Sequence, residues 1–273
     1  MKNTKDIMVD LVSDIGLTDV TYDYIELVKF RKYRIFSNNY NKKISFVNKG
    51  VHFREVIENR TFELGNIIKS YKVDISDNKQ IENNSLLSVM RARKSDRKYQ
   101  NKITKRELIQ LLSVSYNYNN QNKKWNIASG GGTYPIEVFF INAKIEGIEK
   151  GIYHYNPKEK KIDLFKKKNA NEIKTIIEDG YMSKYKSDIE YDKASGFIFL
   201  VAIINRASFK YEDFGYKLSL IDAGAILNNL YLAAAALNIK ACACGGYLDS
   251  VFEEQLEIKA KYHNIVTSLV IGK

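Results

Sequence analysis

Apolar and polar positions alternate in two ways along the chain, at helical spacing in some stretches and in short continuous runs in others. The clearest helix start is the capping box of Thr104 and Glu107, which precedes leucines at helical spacing. Runs rich in β-branched and aromatic residues predict strands, and longer periodic runs predict helices. The predicted strands are residues 137–143, 152–155, 161–165, 196–204, 241–244 and 265–271, and the predicted helices are residues 171–178 and 218–237.

Strands and helices therefore mix through the second half of the chain, and no segment repeats at a fixed period. This pattern excludes solenoids and propellers and predicts an α+β fold, in which a sheet is flanked by helices. Two further helix starts are predicted. Ser85 is the N-cap of a short helix that runs through Arg91, and Ser250 with Glu253 forms a second capping box.

The first 80 residues differ in composition from the rest, since they are rich in Tyr, Phe, Lys and Asn and poor in glycine. Residues 22–31 have a helix-like pattern, and residues 43–47 alternate. A chain of 273 residues, 45% of them hydrophobic, can bury one sizeable core or a core with a small additional domain. We therefore predict a small ordered accessory region at residues 1–80 and a main domain at residues 81–273.

Composition and charge restrict the cellular location and the classes of partner that we expect for the protein. The N-terminal segment has acidic residues every few positions and no continuous apolar run, so we expect a cytoplasmic protein. The most apolar stretch, 218–239, contains Asp222 and three asparagines, which favours a core helix over a membrane span. The net charge is +11, but the lysines are scattered and no nucleic-acid-binding signature accompanies them. We expect no nucleic-acid partner, whereas attraction to an acidic peptide segment stays open.

The cysteines and histidines form no redox or metal motif. Cys242 and Cys244 are one residue apart, which suits neither a disulfide nor a CxxC pair, so we predict that they pack in the core. The three histidines lie far apart in sequence, without acidic or thiol neighbours at ligand spacing. We therefore predict no metal site.

Arg93, Ser95 and Arg97 place two guanidinium groups and a hydroxyl at alternate positions just ahead of a predicted helix. Such donors bind phosphate oxygens, and a helix N-terminus adds a favourable electric field. A solvated basic face would have the same sequence, so phosphate binding is one of two interpretations of this segment.

Two glycine segments would let the backbone approach a ligand closely. Ser129, Gly130 and Gly131 begin a run that continues GTYP, which is neither a Walker loop nor a Rossmann motif. Gly245 and Gly246 follow a predicted strand and would leave backbone N–H groups free to face a ligand. A mobile turn at the first segment and a tight turn at the second are the alternatives.

Lys210 and Tyr211 lie between the predicted strand 196–204 and the predicted helix 218–237. When desolvated, an adjacent lysine and tyrosine can lower each other's pKa, which would give a base able to remove a carbon-bound proton. Chance adjacency in a lysine-rich chain is the alternative.

Taken in order, the segments RxSxR, SGGGxYP, KYxxxGYxxxLxDAG and ACACGGY resemble the SagB/ThcOx-type branch of the FMN-dependent nitroreductase superfamily. The resemblance covers residues 86–273 and depends chiefly on residues 129–135 and 210–246. It implies a nitroreductase-like mixed or antiparallel sheet flanked by helices, in a homodimer that binds FMN at the subunit interface. Two positions depart from the branch, Phe214 where many relatives have arginine and Ala225 where they often have histidine. Both departures concern the substrate, and neither touches the implied cofactor contacts.

The same resemblance implies a role for each cofactor segment. Donors near flavin N5 and O4 stabilise the electron-rich reduced ring, which suits a backbone turn at that position. The implied FMN contacts are Arg93, Ser95 and Arg97 at the phosphate and ribityl chain, Ser129, Gly130 and Gly131 from the partner subunit, and Gly245 and Gly246 at N5 and O4.

Azoline dehydrogenases of this branch use a Lys-Tyr pair as acid and base, and the matching residues here are Lys210 and Tyr211. The implied reaction converts thiazoline or oxazoline rings of a ribosomally made peptide to thiazoles or oxazoles. A base removes the Cα proton, and FMN takes the hydride. One alternative is NAD(P)H-dependent reduction of dehydroamino acids, quinones or nitro compounds on the same fold. The other is a non-catalytic docking subunit of a peptide-modifying complex.

The partners expected from this interpretation are a second copy of the chain and a peptide substrate. An acidic leader on that peptide would suit the excess of cations in the chain. A cyclodehydratase is the expected enzyme partner, because it makes the azoline rings. The ordered composition of residues 1–80 would suit docking to it.

Overall fold

The computed structural model describes residues 62, 64–74, 79–181, 188–259 and 262–273. The helix-like pattern at 22–31 and the alternating pattern at 43–47 lie outside these residues. The described part of the predicted accessory region includes a strand that joins the main sheet. The division of the chain at residue 80 stays a prediction.

The strands form one large sheet and one small hairpin. They are β1 (Lys69–Lys72), β2 (Tyr118–Asn119), β3 (Lys124–Trp125), β4 (Ile136–Asn142), β5 (Gly151–Asn156), β6 (Lys161–Lys167), β7 (Gly196–Ile203), β8 (Lys240–Cys244) and β9 (His263–Gly272). The large sheet has seven strands in the order β1-β6-β5-β4-β7-β9-β8, and β2 pairs with β3. Every pairing is antiparallel. All six strands expected from the apolar runs are confirmed to within two residues at each end.

The helices described are α1 (Lys79–Glu82), α2 (Leu86–Ala92), α3 (Lys105–Ser115), α4 (Ala170–Gly180), α5 (Ile204–Tyr211), α6 (Phe214–Ala236) and α7 (Asp249–Leu256). The Ser85 cap of α2 is confirmed, since its hydroxyl accepts from the Ser88 N–H at 3.2 Å. The Thr104 capping box of α3 is confirmed in both directions. Because these caps satisfy backbone donors locally, they could be identified from the sequence.

Two helix predictions were wrong in detail. The capping box at Ser250 does not form, because α7 begins at Asp249 with Leu248 as a cap that makes no side-chain hydrogen bond. Ser250 therefore lies inside the first turn. Helix α5 was not predicted, since its first residues continue the apolar run of β7 and periodicity over eight residues is a weak signal. The long helix α6 begins at Phe214, four residues before the predicted start.

Helices cover both faces of the sheet, so the strands are buried on both sides. On β4, Val138 and Phe140 belong to the core beneath α3 and α6. Phe139 and Ile141 belong to the core beneath α4 and α7. This alternation follows from the period of two along a strand. The result is the α+β arrangement that the sequence predicts, with a fully antiparallel large sheet.

Helix α6 has the length and the mean hydropathy, 1.3, of a candidate membrane span. Its residues Ala223, Ile226 and Leu230 nevertheless lie in the protein core, which agrees with the prediction of a core helix. Cys242 and Cys244 are free and buried beside it, as expected. Among the described residues, no group of histidine, cysteine and acidic side chains could hold a metal ion.

Candidate functional site

The first group of predicted site residues lies along β8, and we call it the donor strip: Arg93, Ser95, Arg97, Gly245 and Gly246. The Asp96 N–H donates to the Ala241 carbonyl at 2.9 Å, which fixes the arginine segment to β8. Tyr231 of α6 then links the two, because its hydroxyl accepts from the Ala243 N–H at 2.6 Å and lies 3.2 Å from the Ser95 hydroxyl. Since the glycine pair follows β8 directly, one chain brings both segments together.

The donor strip is open and its charges are available. Arg93, Ser95 and Arg97 are exposed, and neither arginine has an ion pair with any residue in the described part of the chain. The Arg93 guanidinium lies 5.5 Å from the Tyr231 ring centroid. A Cβ added at Gly245 or Gly246 would meet nothing within 4 Å. Two guanidinium groups, a hydroxyl and an open backbone turn fit a ligand that carries a phosphate and a flat ring.

The second group is the glycine turn, residues 129–134. The Ser129 hydroxyl donates to the Asp222 carboxylate of α6 at 2.5 Å and accepts from the Tyr134 N–H at 2.9 Å. The Gly130 N–H also donates to Asp222. Burial raises the pKa of Asp222, although these hydrogen bonds oppose the rise. Asp222 therefore clamps the turn to α6, and the Ser129 hydroxyl, expected to face a cofactor, holds the turn in this chain.

Lys210 and Tyr211 end α5 and lie against the glycine turn. The Lys210 ammonium donates to the Gly131 carbonyl at 3.4 Å and lies 5.4 Å from the Tyr211 ring centroid. Gly131 has a φ of 64°, and a Cβ there would lie 2.1 Å from the Tyr211 hydroxyl. The predicted mutual lowering of pKa is wrong for Tyr211, because burial raises the pKa of its hydroxyl. At neutral pH this phenol is a protonated hydrogen-bond donor.

Helix α6 connects the donor strip and the glycine turn. Its exposed residues recur every three or four positions and form one face, which we call the α6 stripe: Lys217, Ile221, Gly224, Ala225 and Asn228. Asp222 and Tyr231 project on opposite sides of this stripe and lie roughly 13 Å apart along the helix axis, at 1.5 Å per residue. The two groups of site residues therefore flank a single exposed helix face.

Sequence reasoning missed a buried charged cluster behind the glycine turn. The Glu137 carboxylate contacts Arg206 at 2.5 Å and His154 Nε2 at 2.7 Å. All three side chains are at most 9% exposed. Burial alone would raise the pKa of Glu137, but the Arg206 charge and the His154 hydrogen bond lower it to about 2. An acidic residue inside an otherwise apolar strand was the available signal, as was Asp222 inside an apolar helix.

Comparison with known proteins identifies a family over most of the chain. The sequence profile of the nitroreductase family matches residues 90–273. A protein of Methanocaldococcus jannaschii named as a nitroreductase is 27% identical over 183 residues, which are 66% of this chain and 87% of that protein. The microcin B17-processing protein McbC of Escherichia coli is 29% identical over 135 residues. That match covers 48% of this chain and 47% of McbC, so the chain spans about half of that relative's length.

The fold is shared with a chain of the E. coli microcin synthetase McbBCD complex, whose structure contains truncated pro-MccB17. The two superpose with a TM-score of 0.57 at 20% identity, over 95% of this chain and 98% of the other. At this identity the match carries information about the fold alone.

Proposed function

The chain belongs to the nitroreductase family, as the ordered motifs predicted, and we propose that it is an FMN-dependent dehydrogenase of azoline rings in a peptide. The observation that carries this proposal is the contact of Lys210 and Tyr211 with the glycine turn at Gly131. Removal of a proton from carbon requires a positioned acid and base, and these two side chains meet at the turn. The name of McbC, a processing protein for microcin B17, supports a peptide substrate.

The donor strip is the proposed FMN site. Arg93, Ser95 and Arg97 would hold the phosphate, and the open turn at Gly245 and Gly246 would meet the ring system. Bound FMN would supply the hydride acceptor. The exposure of all five residues and the absence of ion pairs to the two arginines among the described residues support this assignment.

The two side chains of the pair would have different tasks. Because burial raises the pKa of Tyr211, its hydroxyl stays protonated and would donate a hydrogen bond to a carbonyl beside the ring. The Lys210 nitrogen would accept the proton from the ring carbon. The contact with the Gly131 carbonyl holds this nitrogen at the turn.

The absorption spectrum of the purified protein tests this proposal against its two alternatives. We expect a flavin spectrum, oxidation of an azoline peptide with a loss of two hydrogens by mass spectrometry, and little bleaching by NADPH in the absence of peptide. Rapid bleaching by NADPH with no azoline oxidation would favour the reductive alternative. A colourless protein that does not bind added FMN would favour the docking subunit.

A homodimer that packs on the α6 stripe is the proposed assembly. Ile221 is 58% exposed at the centre of the stripe, beside Gly224 and Ala225, and a large exposed apolar side chain there favours a partner surface. A second copy packed there would approach both the donor strip and the glycine turn, because they flank the stripe. This arrangement would let Ser129, Gly130 and Gly131 of one subunit approach the FMN of the other.

We expect Ile221→Asp to yield a monomer that has lost most of its FMN, because an unpaired carboxylate would be buried in the interface. Size-exclusion chromatography with light scattering and flavin absorbance would measure both effects. Ile67→Asp is the matched control, since Ile67 is also exposed, at 43%, next to the β1 edge at the far end of the sheet from β8. A dimer that retains FMN in Ile221→Asp would contradict the proposed interface.

A cyclodehydratase docked through the N-terminal region is the proposed enzyme partner. Deletion of residues 1–61 spares β1 and the whole donor strip. We expect this truncated protein to retain FMN but to lose co-purification with the cyclodehydratase. Truncated protein that still forms the complex and oxidises the peptide would exclude this docking role.

A further inference from the structure

We propose that Arg206, held by the buried carboxylate of Glu137, is a positioning residue that fixes Lys210 on the glycine turn. The inference rests on the acid/base role proposed above for Lys210. Its basis is a pair of cations on α5 that bond to the same backbone turn, one buried and one near the surface.

The two cations hold the turn at its two ends. Arg206 Nη1 donates to the Tyr134 carbonyl at 3.2 Å, and Lys210 Nζ donates to the Gly131 carbonyl at 3.4 Å. Lys210 follows Arg206 by four positions, so both side chains lie on the same face of α5, one helical turn apart. The helix that carries the proposed base is thus joined directly to the turn that the base contacts.

Arg206 is the rigid member of this pair. Its side chain is 9% exposed, and its second terminal nitrogen bonds to Glu137 Oε1. The other carboxylate oxygen of Glu137 is held by His154 Nε2. A guanidinium can bond to a carboxylate and a carbonyl at the same time because its donors are arranged in a planar fork, whereas an ammonium is a point charge. Lys210, by contrast, sits in the last turn of α5, where its own bond is long.

The location of the cluster favours positioning over stability alone. Buried ion pairs add little net stability compared with apolar side chains of similar size, so their presence needs another explanation. Glu137 is the second residue of β4, three residues after the glycine turn ends at Tyr134. The Glu137–Arg206 pair therefore ties together the sheet, the turn and α5 at the point where the Lys210 nitrogen must be placed.

Arg206→Lys in the FMN-loaded protein is the direct test, because it keeps the charge and removes the fork. We expect turnover of an azoline peptide to fall by about ten- to a hundred-fold, with KM nearly unchanged, since small misplacement of a catalytic group has effects of this size. Asn142→Ala is the matched control. Asn142 is fully buried at the other end of β4, where it bonds to backbone atoms of Ile145 and Glu149. The two variants would be compared at an equal loss of thermal stability. If turnover then falls no further in Arg206→Lys than in Asn142→Ala, the proposal is overturned.

A double variant separates positioning from a general structural role. If Arg206 acts through Lys210, then Arg206→Lys should have little further effect on the residual turnover of Lys210→Ala. The same fold-reduction in both backgrounds would show that Arg206 acts elsewhere and would overturn the proposal. If Arg206→Lys fails to retain FMN, Glu137→Gln replaces it in the same comparisons. This variant weakens the Glu137–Arg206 ion pair and leaves Arg206 in place.

Chemical labelling keeps this test independent of the proposed reaction. The rate at which an amine-reactive reagent modifies Lys210, relative to the exposed Lys174 of α4, can be followed by mass spectrometry of the holoprotein. We expect Arg206→Lys to raise labelling of Lys210 several-fold relative to Lys174, and Asn142→Ala to leave it unchanged. Unchanged labelling in Arg206→Lys would overturn the positioning role. If the native protein oxidises no azoline peptide, the proposed function fails, and the labelling result still decides the role of Arg206.

Discussion

Replacing Gly131 with alanine is expected to remove nearly all azoline oxidation, whereas the same change at Gly132 should have a much smaller effect. The two glycines have similar backbone angles, with φ values of 64° and 69°, so alanine at either position costs about 1–2 kcal/mol of backbone strain. Only at Gly131 would the new Cβ also meet a side chain, the Tyr211 hydroxyl at 2.1 Å. At Gly132 it would meet nothing within 4 Å.

The clash at Gly131 must be relieved by moving either Tyr211 or the turn. Either movement would separate Lys210 from the Gly131 carbonyl, and a displacement of about 1 Å in a catalytic group can lower turnover about a hundred-fold. Steady-state oxidation of an azoline peptide, flavin absorbance and thermal unfolding would be measured for both variants. Gly132→Ala has the same backbone strain without the clash and is therefore the control. Equal turnover in the two variants would contradict the arrangement of Lys210 and Tyr211 on the turn.

The helix caps and buried strands were predictable because their signals are local. The Thr104 capping box and the Ser85 cap involve residues within one helical turn, and β4 and β7 are continuous apolar runs. Helix α5 was missed for the same reason, since its beginning at Ile204 has no local cap and extends the apolar run of β7. Sequence pattern alone could not mark the point where the chain leaves the sheet.

The candidate site shows the same contrast between features with a local sequence signal and features without one. The segments that carry Arg93, Gly131 and Lys210 could be identified because each has an unusual local composition. Their supports, Tyr231, Asp222 and Arg206, come from positions far away in sequence and act through side-chain hydrogen bonds. Such contacts depend on the packing of α5 and α6 on the sheet. The sequence therefore identified the candidate groups for the chemistry and left open what holds them in place.

Lys210→Ala is expected to lower azoline oxidation by roughly a hundred- to ten-thousand-fold with FMN retained, because a positioned acid or base contributes that much to proton transfer. The residue contacts the glycine turn and lies away from the donor strip, so flavin absorbance should not change. Lys174→Ala is the control, since Lys174 is an exposed lysine on α4, outside the donor strip, the glycine turn and the α6 stripe. Normal turnover in Lys210→Ala would contradict the assigned base.

Tyr211→Phe should have a smaller effect than Lys210→Ala, because it removes one hydrogen-bond donor and leaves the proposed base in place. Since burial raises the pKa of Tyr211 above its ordinary value of 10.0, its hydroxyl remains protonated across the neutral range. The loss in Tyr211→Phe should therefore be the same from pH 6 to pH 9, roughly the range in which ordinary tyrosines do not titrate. A loss that appears only as the pH rises within this range would mean that Tyr211 acts as a phenolate. Tyr211 would then be the base of the pair and Lys210 the acid.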